Sequence, residues 1–349
     1  MGCSKDMSQI VIVGSGVAGL CSAHYLLSAG YEVRVITASN GPDEGCCSWW
    51  AGGMLAPDCE QESAEPLIGV LGAESMAFWR RASKRQNVPF VENGSLVVAA
   101  PRDQSLLRLF ARKTQGARKV MQHEVTLLEP DLAHFEHALM FDNEAHLEPR
   151  LSIRALWQEC IALGANVEVN TRLSLGDLSR LKDQVRWLID CRGTSANDVV
   201  SDLRGVKGEM LHLHCLDVSL RRPVRFLHPR HPIYLVPRSD NTFMLGATML
   251  EVNSSKRASV RSVLELLSAA YVINPAFAEA EIIEIGVDAR PAYDDNLPKI
   301  RRDKNVIFVN GLYRHGFLAA PAIARRVVDF IRDGRQCPDV FEDRPTEAA

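Results

Sequence analysis

One turn constrains this chain more than any other feature. Gly14-Ser15-Gly16 follows the apolar run of residues 8–13 and opens residues 17–29, where Leu20, Ala23, Leu26 and Leu27 recur at helical spacing. Gly30 stops that helix, and residues 31–36 form a second run rich in β-branched side chains. The pattern predicts strand, tight turn, helix and strand, the unit from which parallel sheets are built. Within it, Gly14-x-Gly16-x-x-Gly19 is the spacing that cradles a dinucleotide pyrophosphate. Gly14 permits the sharp turn, Gly16 lets phosphate approach the backbone, and Gly19 lets the helix pack on the sheet. Val17 and Ala18 open a helix whose free N–H groups and positive dipole end face the phosphate. The competing reading is a glycine turn that serves close packing alone.

The second strand does not end on the expected carboxylate. Asp or Glu there normally accepts the ribose hydroxyls, but the chain reads Val35-Ile36-Thr37. Thr37 offers a neutral hydrogen bond, with Ser39 and Asn40 nearby. The fingerprint alone therefore does not separate FAD from NAD(P). Arg34, alternating with Val33 and Val35, suits a solvated strand face better than a 2′-phosphate.

Composition excludes several classes. A net charge of −3 over 349 residues, with basic residues scattered, gives no attraction to nucleic acid or anionic membrane. No run approaches the roughly 18 apolar residues that span a bilayer. Met1-Gly2-Cys3 resembles an acylation start, but Asp6 stands where that pattern needs Ser or Thr. No secretion signal is expected, Met7 reads as an alternative start, and nine irregularly spaced cysteines fit a reducing cytoplasm. The pair Cys46-Cys47 is read as packing rather than redox chemistry. No metal site is expected: His212 and His214 alternate on a strand, and His228 and His231 flank prolines.

Further strands are predicted at 166–169, 185–189 and 305–309, with helices over 153–163 and 321–331. Residues 90–100, 208–214, 233–236, 242–247 and 282–287 are strand-like, with turns at Asn93-Gly94 and 239–241. The expected fold is α/β plus α+β: a Rossmann-like nucleotide-binding domain interrupted by an antiparallel-sheet substrate domain. The first comprises residues 1–88, 145–207 and 290–349, and the second residues 89–144 and 208–289.

Three distant segments carry the chemistry. The first runs from Cys46 through Ser48-Trp49-Trp50-Ala51-Gly52-Gly53-Met54 to Pro57. The second joins Tyr234-Leu235-Val236-Pro237-Arg238 to Leu245-Gly246-Ala247-Thr248-Met249. The third pairs Asp288-Ala289-Arg290-Pro291 with Gly311-Leu312-Tyr313-Arg314-His315-Gly316-Phe317-Leu318. Together they resemble the D-amino-acid oxidase family of flavoenzymes, most closely its glycine oxidase branch, which serves thiamine biosynthesis. The resemblance spans nearly the whole chain. It implies FAD, held by Gly14, Gly16, Val17, Ala18, Gly19, Thr37, Ser48, Gly53, Met54, Val169, Gly193, Gly311, Arg314, His315, Gly316, Phe317 and Leu318. The turn between Gly311 and Gly316 would bring backbone N–H groups to the flavin pyrimidine, where negative charge develops on reduction.

The resemblance also implies Arg290 as anchor for a substrate carboxylate, because guanidinium binds it bidentately and keeps its proton. Tyr234 would donate to the same carboxylate, Met249 would line the cavity, and Arg314 would sit at its rim. The competing readings are an Arg290 ion pair with Asp288 or Asp294, and a core tyrosine. His315 is read as structural, since hydride transfer from a neutral amine needs no enzyme base. Three departures stand out: Thr37 replaces an acid, Trp49-Trp50 replaces small residues, and Cys191-Arg192-Gly193 replaces a small-residue turn. Phe317 or Leu318 occupies the place of a flavin-linking cysteine in related sarcosine oxidases, which implies non-covalent FAD.

The implied activity is oxidative deamination of glycine, sarcosine or D-alanine, with molecular oxygen as acceptor and hydrogen peroxide, ammonia and an imine or oxo acid as products. Implied partners are thiazole-synthesis enzymes and further copies of the chain in a homo-oligomer. The alternatives are an FAD-dependent amino-acid or amine dehydrogenase with another acceptor, and a flavin-binding subunit without turnover.

Overall fold

The computed structural model describes residues 6–254 and 256–343. Met1-Gly2-Cys3, considered above as an acylation start, lies outside them.

The glycine turn sits at the centre of a seven-stranded sheet. Its order is Phe341–Asp343, Lys299–Asp303, Val306–Asn310, Val185–Asp190, Asp6–Val13, Val33–Ile36 and Asn166–Glu168. The five strands from Val306–Asn310 to Asn166–Glu168 are parallel, and Lys299–Asp303 pairs antiparallel to them. Residues 10–13 of the strand Asp6–Val13 are an unbroken apolar run because both its faces are covered. Ile10 and Ile12 join the layer that holds Leu20, Trp79, Leu156 and Ile323, while Val11 and Val13 join Leu178, Leu181 and Val200 on the other side. That alternation is the two-residue period of a strand.

An eight-stranded sheet forms the second body. Its order is Glu281–Ala292, Arg204–His214, Thr242–Gly246, Ile233–Pro237, Val224–Leu227, Ser95–Ala99, His137–Phe141 and Arg118–Met121. It is antiparallel except where Val224–Leu227 runs parallel to Ser95–Ala99. The expected all-antiparallel sheet is thus mixed at one seam, where two separate excursions of the chain meet. A small sheet of Met54–Leu55, Ala145–Leu147 and Phe90–Val91 lies beside them.

Several elements differ from expectation. The strand expected over 90–100 is broken: Phe90–Val91 and Ser95–Ala99 belong to different sheets. Gly94 makes the break with φ +80°, where a Cβ would lie 2.5 Å from the Phe141 carbonyl oxygen. The strand expected over 282–287 extends to Glu281–Ala292 and carries Arg290 with it. Also, the helix Pro66–Gln86 was not anticipated at all.

The last helix runs Gly316–Asp333, not 321–331, with Pro321 inside it. Proline has no N–H for the carbonyl four residues earlier, normally a reason to start the helix there. Here the freed Phe317 carbonyl accepts the Trp79 Nε1–H at 2.6 Å, from the helix Pro66–Gln86. The helix can therefore begin one turn early, which carries its N-terminus into the cleft described below. Trp79 is 1 % exposed and packs on the Phe317 ring at 5.3 Å. Trp79→Phe leaves that buried carbonyl unpaired and should cost about 1–3 kcal/mol in denaturant unfolding. Trp79→Ala should cost about 3–5 kcal/mol.

Candidate active site

The glycine turn divides its duties by position. Gly14 has φ +112°, and a Cβ there would lie 2.6 Å from the Cys191 carbonyl oxygen on the neighbouring strand. A Cβ on Gly19 would collide with the Gly14 carbonyl. These two glycines press the helix Val17–Ser28 onto the sheet. Gly16 is different: it caps that helix without a side-chain bond, and a Cβ there would meet Ser48 Oγ at 3.4 Å. Ser48 Oγ accepts the Val17 N–H at 3.0 Å.

At the end of the second strand Thr37 is buried, its hydroxyl 2.8 Å from that of Ser15. A neutral hydroxyl pair thus stands where a carboxylate was expected. Beside it, Arg192 is held by Asp190 and Asp198, with Nη2 2.8 Å from each, and this pins the turn at Gly193, φ +60°.

A single cleft of about 720 Å³ joins this turn to the second body. It brings together Gly14, Gly16, Val17, Ala18, Thr37, Ser48, Gly53, Met54, Gly193, Tyr234, Met249, Arg290, Arg314, His315, Gly316, Phe317 and Leu318. Three candidates do not line it. Gly19 is spent on the helix–sheet contact, and Gly311 turns at φ +76° against Tyr293. Val169 packs on the core of the parallel sheet, and its carbonyl accepts the Thr171 hydroxyl at 3.1 Å.

Within the same cleft, Arg290 is placed by two contacts. Its guanidinium lies so close over Gly208 that a Cβ there would collide with it. Nη1 donates to the Thr248 carbonyl at 3.0 Å. Thr248 is fixed in turn: its hydroxyl donates to Glu209 Oε2 at 3.1 Å and accepts the Glu209 N–H at 2.9 Å. Glu209 is 1 % exposed and paired with Lys207 Nζ at 2.7 Å. Arg290 forms no ion pair with Asp288 or Asp294 among the described residues; Asp294 lies 3.8 Å from Arg204 instead. The Tyr234 ring lies between two glycines, since a Cβ on Gly52 or Gly246 would reach it at 2.9 and 3.2 Å. Bulk at either glycine would displace the phenol.

Met249 is placed at the mouth, 44 % exposed, with Sδ 3.6 Å from the Tyr313 hydroxyl and 3.3 Å from Arg314 Nη1. It lines the cleft at a partly exposed position beside Arg314. Trp50 covers Gly286 and packs with Met210, Val236 and Met244, while Trp49 lies under Arg150 and Arg154 at 4.8 and 4.5 Å. The tryptophans that replace small residues therefore join the two bodies.

A buried charge cluster went unread in the sequence. Glu60 forms an ion pair with Arg225, and its Oε2 lies 3.7 Å from Arg314 and 3.5 Å from His315 Nδ1. Burial would raise the Glu60 carboxyl, but Arg225, Arg314 and His315 together hold it well below the usual carboxylate range. Burial pushes His315 down to about 4 despite Glu60, so its ring is neutral at physiological pH. The available signal was Arg225 inside the apolar run Val224–Leu227; its partner lies 165 residues away. Burial also raises Cys46 to about 11 and drives Cys47 higher, which leaves both thiols protonated and poorly nucleophilic. Among the described residues no cluster of His, Cys, Asp or Glu is gathered to hold a metal ion.

A glycine turn with an open helix end at one extreme of a cleft, and an arginine–tyrosine pair at the other, define a dinucleotide-dependent redox fold. The sequence profile described as DAO, FAD dependent oxidoreductase, matches residues 9–330, and the chain belongs to that family. A putative thiamine biosynthesis oxidoreductase ThiO of Rhizobium etli is 44% identical over 321 residues, covering 91% of this chain and 95% of its own. A bifunctional protein ThiO/ThiG of Trichormus variabilis is 24% identical, matching 95% of this chain and 53% of that longer one. Glycine oxidase from Geobacillus kaustophilus superposes with a TM-score of 0.80 at 20% identity, covering 95% and 96% of the two chains.

FAD is the cofactor of this family, and the residues present fit it. The open helix end at Gly16 suits a pyrophosphate. The last helix starts at Gly316 without a side-chain cap, so its first N–H groups are free within the cleft. Gly208→Ala should displace Arg290 while leaving the glycine turn intact. The expected result is a loss of about 100-fold in kcat/KM with full flavin content, measured by steady-state kinetics and visible absorbance.

Proposed function

We propose that this protein oxidises glycine and other small α-amino acids, sarcosine and D-alanine among them. The observation that carries the reading is that Arg290 and Tyr234 line the same cleft as the phosphate-binding turn. Arg290 presents a fixed, permanently charged fork to a carboxylate, and Tyr234 adds an O–H that narrows the pose to one orientation. Thr248 holds the fork from behind, so it is ordered before substrate arrives. Bound FAD supplies the two-electron acceptor. Gly14, Gly16, Val17 and Ser48 would hold its pyrophosphate end, and Gly316, Phe317 and Leu318 its flavin end. Phe317 and Leu318 offer no nucleophile, so attachment is non-covalent.

The net reaction consumes amino acid, oxygen and water, and yields oxo acid, hydrogen peroxide and ammonia, or methylamine where the substrate is sarcosine. The relatives named for thiamine biosynthesis, one of them carried on a chain named ThiO/ThiG, support a role in supplying imine to a thiazole-forming partner. We place the protein in the cytoplasm as a homo-oligomer. No helix of the described residues is long and apolar enough to cross a membrane. The proposed division gives residues 1–88, 145–207 and 290–349 to FAD and residues 89–144 and 208–289 to substrate, except that Arg290, on the strand Glu281–Ala292 of the second sheet, serves the substrate.

Anaerobic glycine, sarcosine or D-alanine should bleach the visible flavin band, and the same mixture in air should release peroxide. Bleaching without peroxide would assign the electrons to another acceptor, and no bleaching would leave a flavin-binding subunit without turnover. Arg290→Ala should abolish bleaching while flavin stays bound. A variant that turns over normally would remove Arg290 from the site.

A further inference from the structure

Asp288 and Arg290 lie two residues apart on the strand Glu281–Ala292, so their side chains leave the same face. Both line the cleft. Opposite charges this near on a strand ordinarily close into an ion pair, but these do not. The guanidinium lies over Gly208, the cross-strand neighbour of Asp288, and donates to the Thr248 carbonyl, so it stays beside the carboxylate without closing an ion pair among the described residues. Asp288 accepts one hydrogen bond, from the Ala289 N–H at 2.7 Å, and has no cation partner within ion-pair distance among the described residues. A partly buried carboxylate without a partner is unfavourable. Its pairing with an equally unneutralised guanidinium matches the charge pattern of an α-amino-acid zwitterion, one charge for each end.

Resting on the function proposed above, we propose that Asp288 is the acceptor for the substrate ammonium. Arg290 holds the carboxylate, and a proton passes from the ammonium nitrogen to an Asp288 carboxylate oxygen. The N–H bond breaks, an O–H bond forms, and the amine is left neutral with its lone pair free. Only that neutral form can give up hydride from its α-carbon, so the proton must leave first. When product departs, Asp288 returns the proton to solvent through the cleft.

The surroundings suit the task. Burial pushes the Asp288 carboxyl up to about 6, against the Ala289 N–H and Arg290, which favour its ionised form. It is therefore ionised at neutral pH yet basic enough to take a proton. Arg290 faces it from its own strand, and Cys46 and Cys47 from the turn Cys47–Trp50 and its cap. Both thiols are raised and stay neutral, so neither competes for the proton. The facing strand contributes Gly208, with nothing to titrate. Tyr234, Arg314, His315, Glu60 and Arg225 are further charged and titratable groups of the cleft lining, with His315 close enough to Arg290 to feel its charge.

The test compares holoprotein carrying Asp288→Asn or Asp288→Glu with the natural chain. Flavin bleaching by glycine is followed anaerobically across pH, and acetate binding is read from the flavin spectrum. In the natural chain, bleaching should fall as pH drops through the Asp288 carboxyl's range. Asp288→Asn should lose that limb and be slower by about 100-fold at neutral pH. It should recover above the amine's own pKa, where no proton needs removal, and D288E should keep the low-pH limb. Acetate, which has no ammonium, should bind all three alike. An Asn variant with an unchanged pH profile, or one that loses acetate and glycine binding equally, overturns the proposal. A natural chain that binds acetate but that no amino acid bleaches would overturn the underlying oxidase reading as well.

Discussion

The contact between Gly14 and its two neighbours sets the geometry of everything else. Its positive φ turns the chain out of the central strand, the Cys191 carbonyl lies against it on one side, and Gly19 of the following helix on the other. No side chain fits in either gap. The helix is thereby fixed with its N-terminus at the carboxyl edge of the parallel strands, where an open α/β sheet binds its ligand. The Trp79–Phe317 hydrogen bond repeats the device at the other end of the chain, since it lets a proline-containing helix begin inside the cleft. One cofactor-sized cavity is thus bordered by two helix N-termini, both offering N–H groups to negative charge.

The second body supplies charge at the opposite end and spends buried ion pairs to hold it. Lys207 and Glu209 fix Thr248, and Thr248 holds Arg290. Glu60 gathers Arg225, Arg314 and His315 at the start of the last helix. Breaking one partner of such a pair strands the other in low dielectric, at a cost of about 3–5 kcal/mol. These groups therefore act as fixed dipoles and charges ordered before the ligand enters. Preorganisation of this kind lets a site stabilise developing charge without reorganising.

What the sequence made legible was local or periodic. Tyr234 and Arg290 stood out through family resemblance across three distant segments, whereas the glycine spacing and the two strands beside it could be read from short windows. The start of the last helix could not, because the partner for the Phe317 carbonyl comes from Trp79, 238 residues earlier. Nor could the Glu60–Arg225 pair, whose meaning depends on two bodies closing on each other. Thr37 was legible as a departure, but its Ser15 partner, 22 residues earlier, was not. Asp288 was weighed only as a salt-bridge partner for Arg290. Its actual setting, beside a guanidinium that bonds the Thr248 carbonyl instead, depends on the approach of Gly208 and Thr248.

The central claim is that one cleft holds cofactor phosphate at the Gly14–Gly16 turn and substrate carboxylate at Arg290 and Tyr234. A crystal structure of the flavin-loaded protein with acetate, a carboxylate that cannot be oxidised, tests it directly. The account predicts the FAD pyrophosphate against Gly16 and the N-terminus of the helix Val17–Ser28, with acetate bridging the Arg290 guanidinium and the Tyr234 hydroxyl. Acetate bound elsewhere in the cleft, with Arg290 turned away from it, would contradict the account.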